Sequence, residues 1–277
     1  MNKTEASILP PGTDFNIVEM AQAVAGIVRE IGAVLCEASD VAVYTKEGHT
    51  NFATEMDIKV QRMLCGRLQN LIPGAVFILE EEQESIPALG EYTWIIDPID
   101  GTQNFINDYH VSCISVALLR GDAGILGMVY NPYADELFCG MAGKGAFLNG
   151  KPISPSDKPF EAAVICFGTA LYYRELAEPT MAVAGKLFGE CCDLRRSGSA
   201  ALDICYVACG RCDAMFELRL CPWDYAGGAI ILREAGGRIA PIGPGTLNYT
   251  EKTGVVAAGA GIFARMKREI DEIVFPS

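Results

Sequence analysis

Twelve residues, Trp94-Ile95-Ile96-Asp97-Pro98-Ile99-Asp100-Gly101-Thr102-Gln103-Asn104-Phe105, constrain this chain more than any other stretch. The leading apolar triplet reads as a buried strand that delivers a carboxylate, Asp97, to its end. Pro98 lacks a backbone donor, which predicts that the chain bends out of the sheet there. Asp100 follows three residues after Asp97, and a tight turn would aim both acids at one point. Gly101 admits a backbone conformation closed to other residues, and Thr102 sets a hydroxyl beside it. Two carboxylates this close repel unless a proton or a cation sits between them. With oxygen ligands alone the cation is hard: Mg²⁺, with Mn²⁺ as a substitute. Asp-Pro or Asp-Gly by itself marks only a turn. A turn, however, needs neither a strand carrying an acid nor a second acid with a Gly-Thr pair, so the residues leave a turn and a metal-and-phosphate site both open.

Composition narrows the partners. The chain has 277 residues, 50% hydrophobic and 21% charged, enough for a substantial core in one large or two smaller domains. A net charge of −13 argues against nucleic acid and anionic membranes as partners. It also repels a phosphate substrate, unless bound divalent cations reverse the local sign. No stretch approaches the roughly 20 apolar residues of a membrane span. Lys3-Thr4-Glu5 and the Pro10-Pro11-Gly12 break do not read as a signal peptide, so a cytoplasmic location is expected. The 11 cysteines are scattered through apolar runs, as reduced buried thiols are. Cys209-Gly210-Arg211-Cys212, with Cys205 one turn earlier, admits a redox pair or part of a zinc site, but no fourth ligand is evident. Packing between a helix and a strand is the expected role.

Periodicity supplies the elements. Asp14 is placed to cap a helix with Ile17, Ala21, Val24, Val28, Ile31 and Leu35 on one face. Residues 41–53 read as extended with a turn at Gly48, and 54–71 as a helix stopped by Pro73-Gly74. Ala75–Leu79 is a short strand ending on Glu80-Glu81-Glu82, again acid at the end of an apolar run. Strands are expected over 111–119 and 124–130, joined by the Arg120-Gly121-Asp122-Ala123 turn, with a further hairpin over 136–151. The second half alternates: strand 163–167, helix 170–189, strand 193–197, helix from Ser199, strand 214–218, helix 224–235, strands 238–241 and 254–258, helix 262–273. This predicts an α+β first half rich in antiparallel strands and an α/β second half with a mixed sheet. The boundary is expected near 152–160, where Pro152, Pro155 and Pro159 cluster, giving units 1–155 and 156–277.

Asp97-Pro98-Ile99-Asp100-Gly101-Thr102-Gln103-Asn104-Phe105 resembles the D-P-[IL]-D-G-T-x-N-F signature of the inositol monophosphatase family, Mg²⁺-dependent, lithium-sensitive phosphomonoesterases. Trp223-Asp224-Tyr225-Ala226-Gly227-Gly228 and Glu234-Ala235-Gly236-Gly237 resemble that family's second signature. The resemblance spans nearly the whole chain. It implies a layered α-β-α-β-α sandwich of the sugar-phosphatase type, two or three Mg²⁺ ions and a homodimer. It further implies that Glu80, Asp97 and the Ile99 carbonyl hold one ion, and that Asp97, Asp100 and Asp224 hold another. Such a pair of ions clamps a phosphate ester, one preparing a water and the other stabilising the departing alkoxide. By the same resemblance Thr102 with Asp57, from Thr54-Glu55-Met56-Asp57, takes the proton of that water, and Glu81 helps orient it. Gly101 and Thr102 would hold the phosphate with backbone donors. Gly198-Ser199-Ala200, Glu217 and Asp224 would meet the alcohol part of the substrate. Leu79 replaces the family's usual Gly, and Met56 its small polar residue.

Rival chemistries fail on inventory. With His49 and His110 the only histidines, neither a phosphohistidine nor a three-histidine zinc site can be built, and no Gly-x-Ser-x-Gly elbow is present. The segment 145–151 approaches a P-loop, but Pro152 stands where a Ser or Thr must meet Mg²⁺. The expected function is therefore Mg²⁺-dependent hydrolysis of a small phosphate monoester, foremost inositol 1-phosphate. Fructose 1,6-bisphosphate, histidinol phosphate and a nucleotide 3′-phosphate are alternative substrates, and a non-catalytic regulator is an alternative of another class.

Overall fold

The apolar stripe near the N-terminus forms helix α1 (Ile17–Cys36), which buries Ile17, Ala21, Val24, Val28, Ile31 and Leu35. The computed structural model describes residues 15–38, 42–47, 51–81 and 85–275. The Asn16 side chain caps α1, accepting from the Val18 N–H at 2.9 Å. Asp14, Gly48, His49 and Glu82 lie outside the described residues.

After the hairpin β1 (Val43–Glu47) and β2 (Asn51–Thr54), α2 (Glu55–Leu71) opens on a capping box. The Thr54 hydroxyl accepts from the Met56 and Asp57 N–H groups. The Asp57 carboxylate in turn takes the Thr54 N–H at 2.7 Å and its hydroxyl at 2.6 Å. All of this is buried. Thr54→Ala should therefore cost about 1–2 kcal/mol in urea unfolding, with Thr54→Ser close to wild type.

The first sheet has the strand order β3 (Val76–Leu79), β4 (Tyr92–Asp100), β5 (Cys113–Arg120), β6 (Ala123–Asn131), β7 (Glu136–Met141), β8 (Gly145–Leu148) and β9 (Lys151–Pro152). Only β3 and β4 are parallel. A one-turn helix, α3 (Thr102–Ile106), follows β4. The second sheet runs β11 (Asp193–Arg195), β10 (Val164–Phe167), β12 (Ala214–Leu220), β14 (Thr253–Ala258), β13 (Arg238–Pro241), parallel in its first three strands and antiparallel beyond. The remaining helices are α4 (Ala177–Phe188), α5 (Ala200–Ala208), α6 (Pro222–Glu234) and α7 (Ala260–Val274).

Strand alternation decides the layers. Trp94, Ile96, Ile114, Val116 and Leu118 pack against α1 and α2, while Ile95, Cys113, Ala117 and Leu119 face α5 and α6. On the second sheet Met215, Val255 and Ala257 face that same helix pair, and Phe216, Leu218, Val256 and Ala258 face α4 and α7. The result is the expected α-β-α-β-α sandwich of mixed sheets. Glycines let the central layer close: a Cβ on Gly127 would lie 2.3 Å from the Gly227 carbonyl, and one on Gly140 2.6 Å from the Ile231 Cα. Among the described residues no helix is long and apolar enough to cross a membrane.

Three expectations need correction. The helix expected over 170–189 begins at Ala177, after a 3₁₀ turn over Arg174–Leu176. Pro179 is tolerated only in the first helical turn, and Ala170 has φ 43°, so the chain before them is a turn. The helix expected from Asp224 begins two residues earlier, at Pro222, and Asp224 does not open it. Cys221 is the N-cap, and Asp224 is the third helical residue, its carboxylate accepting from the Cys221 N–H at 2.7 Å. Finally, β4 does not stop at Asp97. It continues through Pro98 to Asp100, because a bulge absorbs the proline.

Candidate active site

That bulge builds the site. In a regular strand, residues three apart point to opposite faces. Here Asp97 pairs with Ser115 and Asp100 with Cys113, so β4 spends one residue more than β5 between those pairs. The extra residue restores parity, and both acids emerge on the α5/α6 side of the sheet. Gly101 then takes φ 90°; a Cβ there would meet the Val111 carbonyl at 2.9 Å. Asn104, inside α3, donates to the carbonyls of Val111 and Ser197, drawing the loop before α5 across to the strand end.

The cavity at this point is about 370 Å³, the scale of a small-ligand site. Glu80, Asp97, Ile99, Asp100 and Asp224 line it, as expected of metal ligands. Of the expected substrate contacts, Gly101, Thr102, Gly198, Ser199, Ala200 and Glu217 line it too. Asp57 and Glu81 are buried behind the wall. Asp57 reaches the cavity through Thr102, whose hydroxyl lies 3.5 Å from Asp57 Oδ1 and donates to the Ile99 carbonyl at 3.1 Å. Glu81 is fixed by Gln61, one turn beyond Asp57 on α2; the Gln61 amide donates to the Glu81 carbonyl and accepts its N–H.

Each central carboxylate is anchored through one oxygen. Asp97 Oδ1 accepts the Ile99 N–H at 3.0 Å, and Asp224 Oδ2 the Cys221 N–H. Asp100 Oδ2 takes the Ser199 hydroxyl at 2.5 Å and the Ala201 N–H at 2.8 Å. Ser199 thus spends its hydroxyl proton on a carboxylate rather than on a substrate, and it caps α5 as well.

Electrostatics disfavours this assembly of acids by itself. Burial, followed by the charges of Glu80, Asp100 and Asp224, holds the Asp97 carboxyl well above its ordinary range, and Glu80 lies within hydrogen-bonding contact of it. Burial likewise raises Asp224, with Asp100 and Glu80 adding to the effect. Asp100 is pushed up to about 6 by burial, against the lowering effect of the Ser199 and Ala201 donors. Glu217 is pushed up to about 8 by burial while its Oε1 accepts the Ala170 N–H. Among the described residues no three or more His, Cys, Asp or Glu side chains are grouped so as to hold a metal ion. The donor chemistry is the test of fit. Carboxylates around one cavity, with a backbone carbonyl beside them, match a hard divalent cation and no softer one.

A family model described as the inositol monophosphatase family matches residues 16–274. The chain belongs to the inositol monophosphatase family. Its relatives include an Escherichia coli K12 protein named Nus factor SuhB, 34% identical over 242 residues, spanning 85% of this chain and 90% of that one. Inositol monophosphatase 3 of Solanum lycopersicum is 39% identical over 197 residues, spanning 69% and 74%. Among solved structures, the extragenic suppressor protein suhB of Bartonella henselae is 28% identical with a TM-score of 0.84, covering 92% of this chain and 99% of its own. A Thermotoga maritima IMPase is 29% identical with a TM-score of 0.82, covering 92% and 98%. The structural matches run nearly end to end, so the likeness is of the whole fold and not of a shared motif.

Within this family fold, several cavity residues escaped the sequence reading: Tyr172, Arg196, Asp203, Arg219 and Lys252. Arg219 had a signal, since it lies two residues beyond Glu217 on one strand. Asp203, in the first turn of α5, is pushed up to about 7 by burial. Lys252 enters only through strand pairing, which no local pattern announces. Among the described residues no cysteine is in a disulfide, and Cys212 packs 3.1 Å from Cys166 of β10.

Proposed function

We propose that this chain is a Mg²⁺-dependent phosphomonoesterase acting on a small polyol phosphate, with inositol 1-phosphate as the reference substrate. One observation carries the reading: buried carboxylates that repel one another are gathered around a cavity beside the Gly101-Thr102 turn. In this reading Glu80, Asp97, Ile99, Asp100 and Asp224 hold two or three Mg²⁺ ions, with Mn²⁺ as a substitute. The bound ions supply charge neutralisation at the phosphate and make a water acidic enough to attack. The backbone N–H groups of Gly101 and Thr102 hold the phosphate oxygens. Thr102 Oγ1 takes the water proton and passes it to Asp57 Oδ1, whose other oxygen is pinned by Thr54. Glu81, clamped by Gln61, orients the water. Glu217 accepts a hydroxyl of the polyol, and Gly198, Ser199 and Ala200 form the wall beside it. Residues 1–155 carry most of these groups, and 156–277 complete the site. We further read the protein as a cytoplasmic homodimer without nucleic-acid or membrane partners.

Phosphate release from inositol 1-phosphate should appear on adding Mg²⁺, fall in lithium and vanish in excess chelator. Thermal unfolding should shift upward with Mg²⁺ as binding to the folded state dictates. A folded protein that binds Mg²⁺ yet releases no phosphate from any small ester would favour a regulatory role instead.

A further inference from the structure

The cavity wall is not uniformly acidic. Arg196, Arg219 and Lys252 also line it, and among the described residues none of the three forms an ion pair with a carboxylate. Arg196 is near enough for its charge to act on Glu217 and Asp203. Arg219 and Lys252 differ, because they meet each other at a single ring. The Arg219 guanidinium lies 5.4 Å from the centre of Tyr173, and the Lys252 ammonium donates to the Tyr173 hydroxyl at 3.4 Å.

Strand register creates this pairing. Leu220 of β12 pairs with Thr253 of β14, so Arg219 and Lys252 each precede one member of that pair in sequence. A register shift between Glu217 and Leu220 accompanies it. Two cations gathered on one ring repel each other, and an anion bridging them would relieve that repulsion.

Tyr172 and Tyr173 both line the cavity, and it is Tyr173 that touches Arg219 and Lys252. Arg219, Lys252 and Tyr173 line the same cavity as Asp224 and the other acids, so an anion held there faces the carboxylates.

We propose that Arg219, Lys252 and Tyr173 form a second anion subsite, and that the preferred substrate carries a second oxyanion on its leaving alcohol. The proposal rests on the phosphomonoesterase reading and narrows its substrate class. An oxyanion bridging a guanidinium and an ammonium gains charge-assisted hydrogen bonds from both. The Tyr173 ring holds the guanidinium by a cation–π contact, keeping it oriented before substrate arrives.

The test compares inositol 1-phosphate, fructose 1,6-bisphosphate and 6-phosphogluconate, the last two carrying a second phosphate and a carboxylate respectively. With Mg²⁺ present, the wild type should show KM values about tenfold lower for at least one of these two than for inositol 1-phosphate. Which of them is lower identifies the anion. Arg219→Ala with Lys252→Ala should remove that advantage and leave inositol 1-phosphate within about twofold. Calorimetry of each ester on the same proteins reads the subsite independently of turnover. Equal loss on all three esters would overturn the proposal, because the cations would then be serving the reacting phosphate. So would a wild type that shows no preference. A wild type that binds the doubly anionic ester through Arg219 and Lys252 but hydrolyses nothing would sink the phosphatase reading and leave the subsite standing.

Discussion

Asp97→Asn should lower phosphate release about a thousandfold or more while leaving the fold intact. Asp97 is the acid at which the other three converge; each of Glu80, Asp100 and Asp224 acts on its charge. An amide keeps the shape and can keep the Oδ1 contact to the Ile99 N–H, but it removes the negative charge on which cation binding depends. The stability effect should run the other way. A carboxylate that is buried and surrounded by like charges opposes folding when no cation is bound. In chelator, the variant should thus melt at or above the wild-type temperature. In Mg²⁺, the wild type should gain stability and the variant should not. Both readings come from one thermal series with a phosphate assay alongside. Undiminished turnover would remove Asp97 from the chemistry, and a collapsed melting curve would show it to be structural.

Gly127→Val should give the largest loss of stability among the substitutions considered. Even one added carbon would lie 2.3 Å from the Gly227 carbonyl and 3.0 Å from the Ile230 Cβ. The obstacle is helix backbone, which cannot rotate aside as a side chain can. Overpacking of this kind costs roughly 3 kcal/mol or more, or about 5 °C in melting temperature for a chain of this size. Because α6 carries Asp224, activity should fall further than the unfolded fraction accounts for. Gly185→Ala is the control: it lies in α4 with nothing within 4 Å of the new carbon, so helix propensity should leave it neutral or slightly stabilised. Equal melting temperatures for Gly127→Val and Gly185→Ala would refute the close-packed account of the central layer.

How much of this was legible depends on the range of the interaction. The helix starts at Thr54 and Ser199 and the buried strand through Trp94 are local patterns, and each was read from the sequence. The order of layers came from family resemblance, since periodicity alone supplies helices and strands without stacking them. The bulge between Asp97 and Asp100 was misread as the strand's end. Proline looks the same in both cases, and only the register against β5 distinguishes them. Ser199 was expected to face substrate, yet its hydroxyl goes to Asp100, a partner 99 residues away. Lys252 was missed because it has no meaning until β12 and β14 lie side by side, whereas Arg219 could have been found from its place two residues beyond Glu217 on one strand.

The helix pair shared by both sheets also bears on how the protein is made. During synthesis the strands of the first sheet leave the ribosome well before α5 and α6, so Ile95, Ala117 and Leu119 must wait uncovered for partners not yet translated. A nascent chain halted near residue 155 would expose an apolar sheet face to every neighbour. Chaperone dependence and inclusion-body formation should therefore be governed by how promptly the second half follows the first.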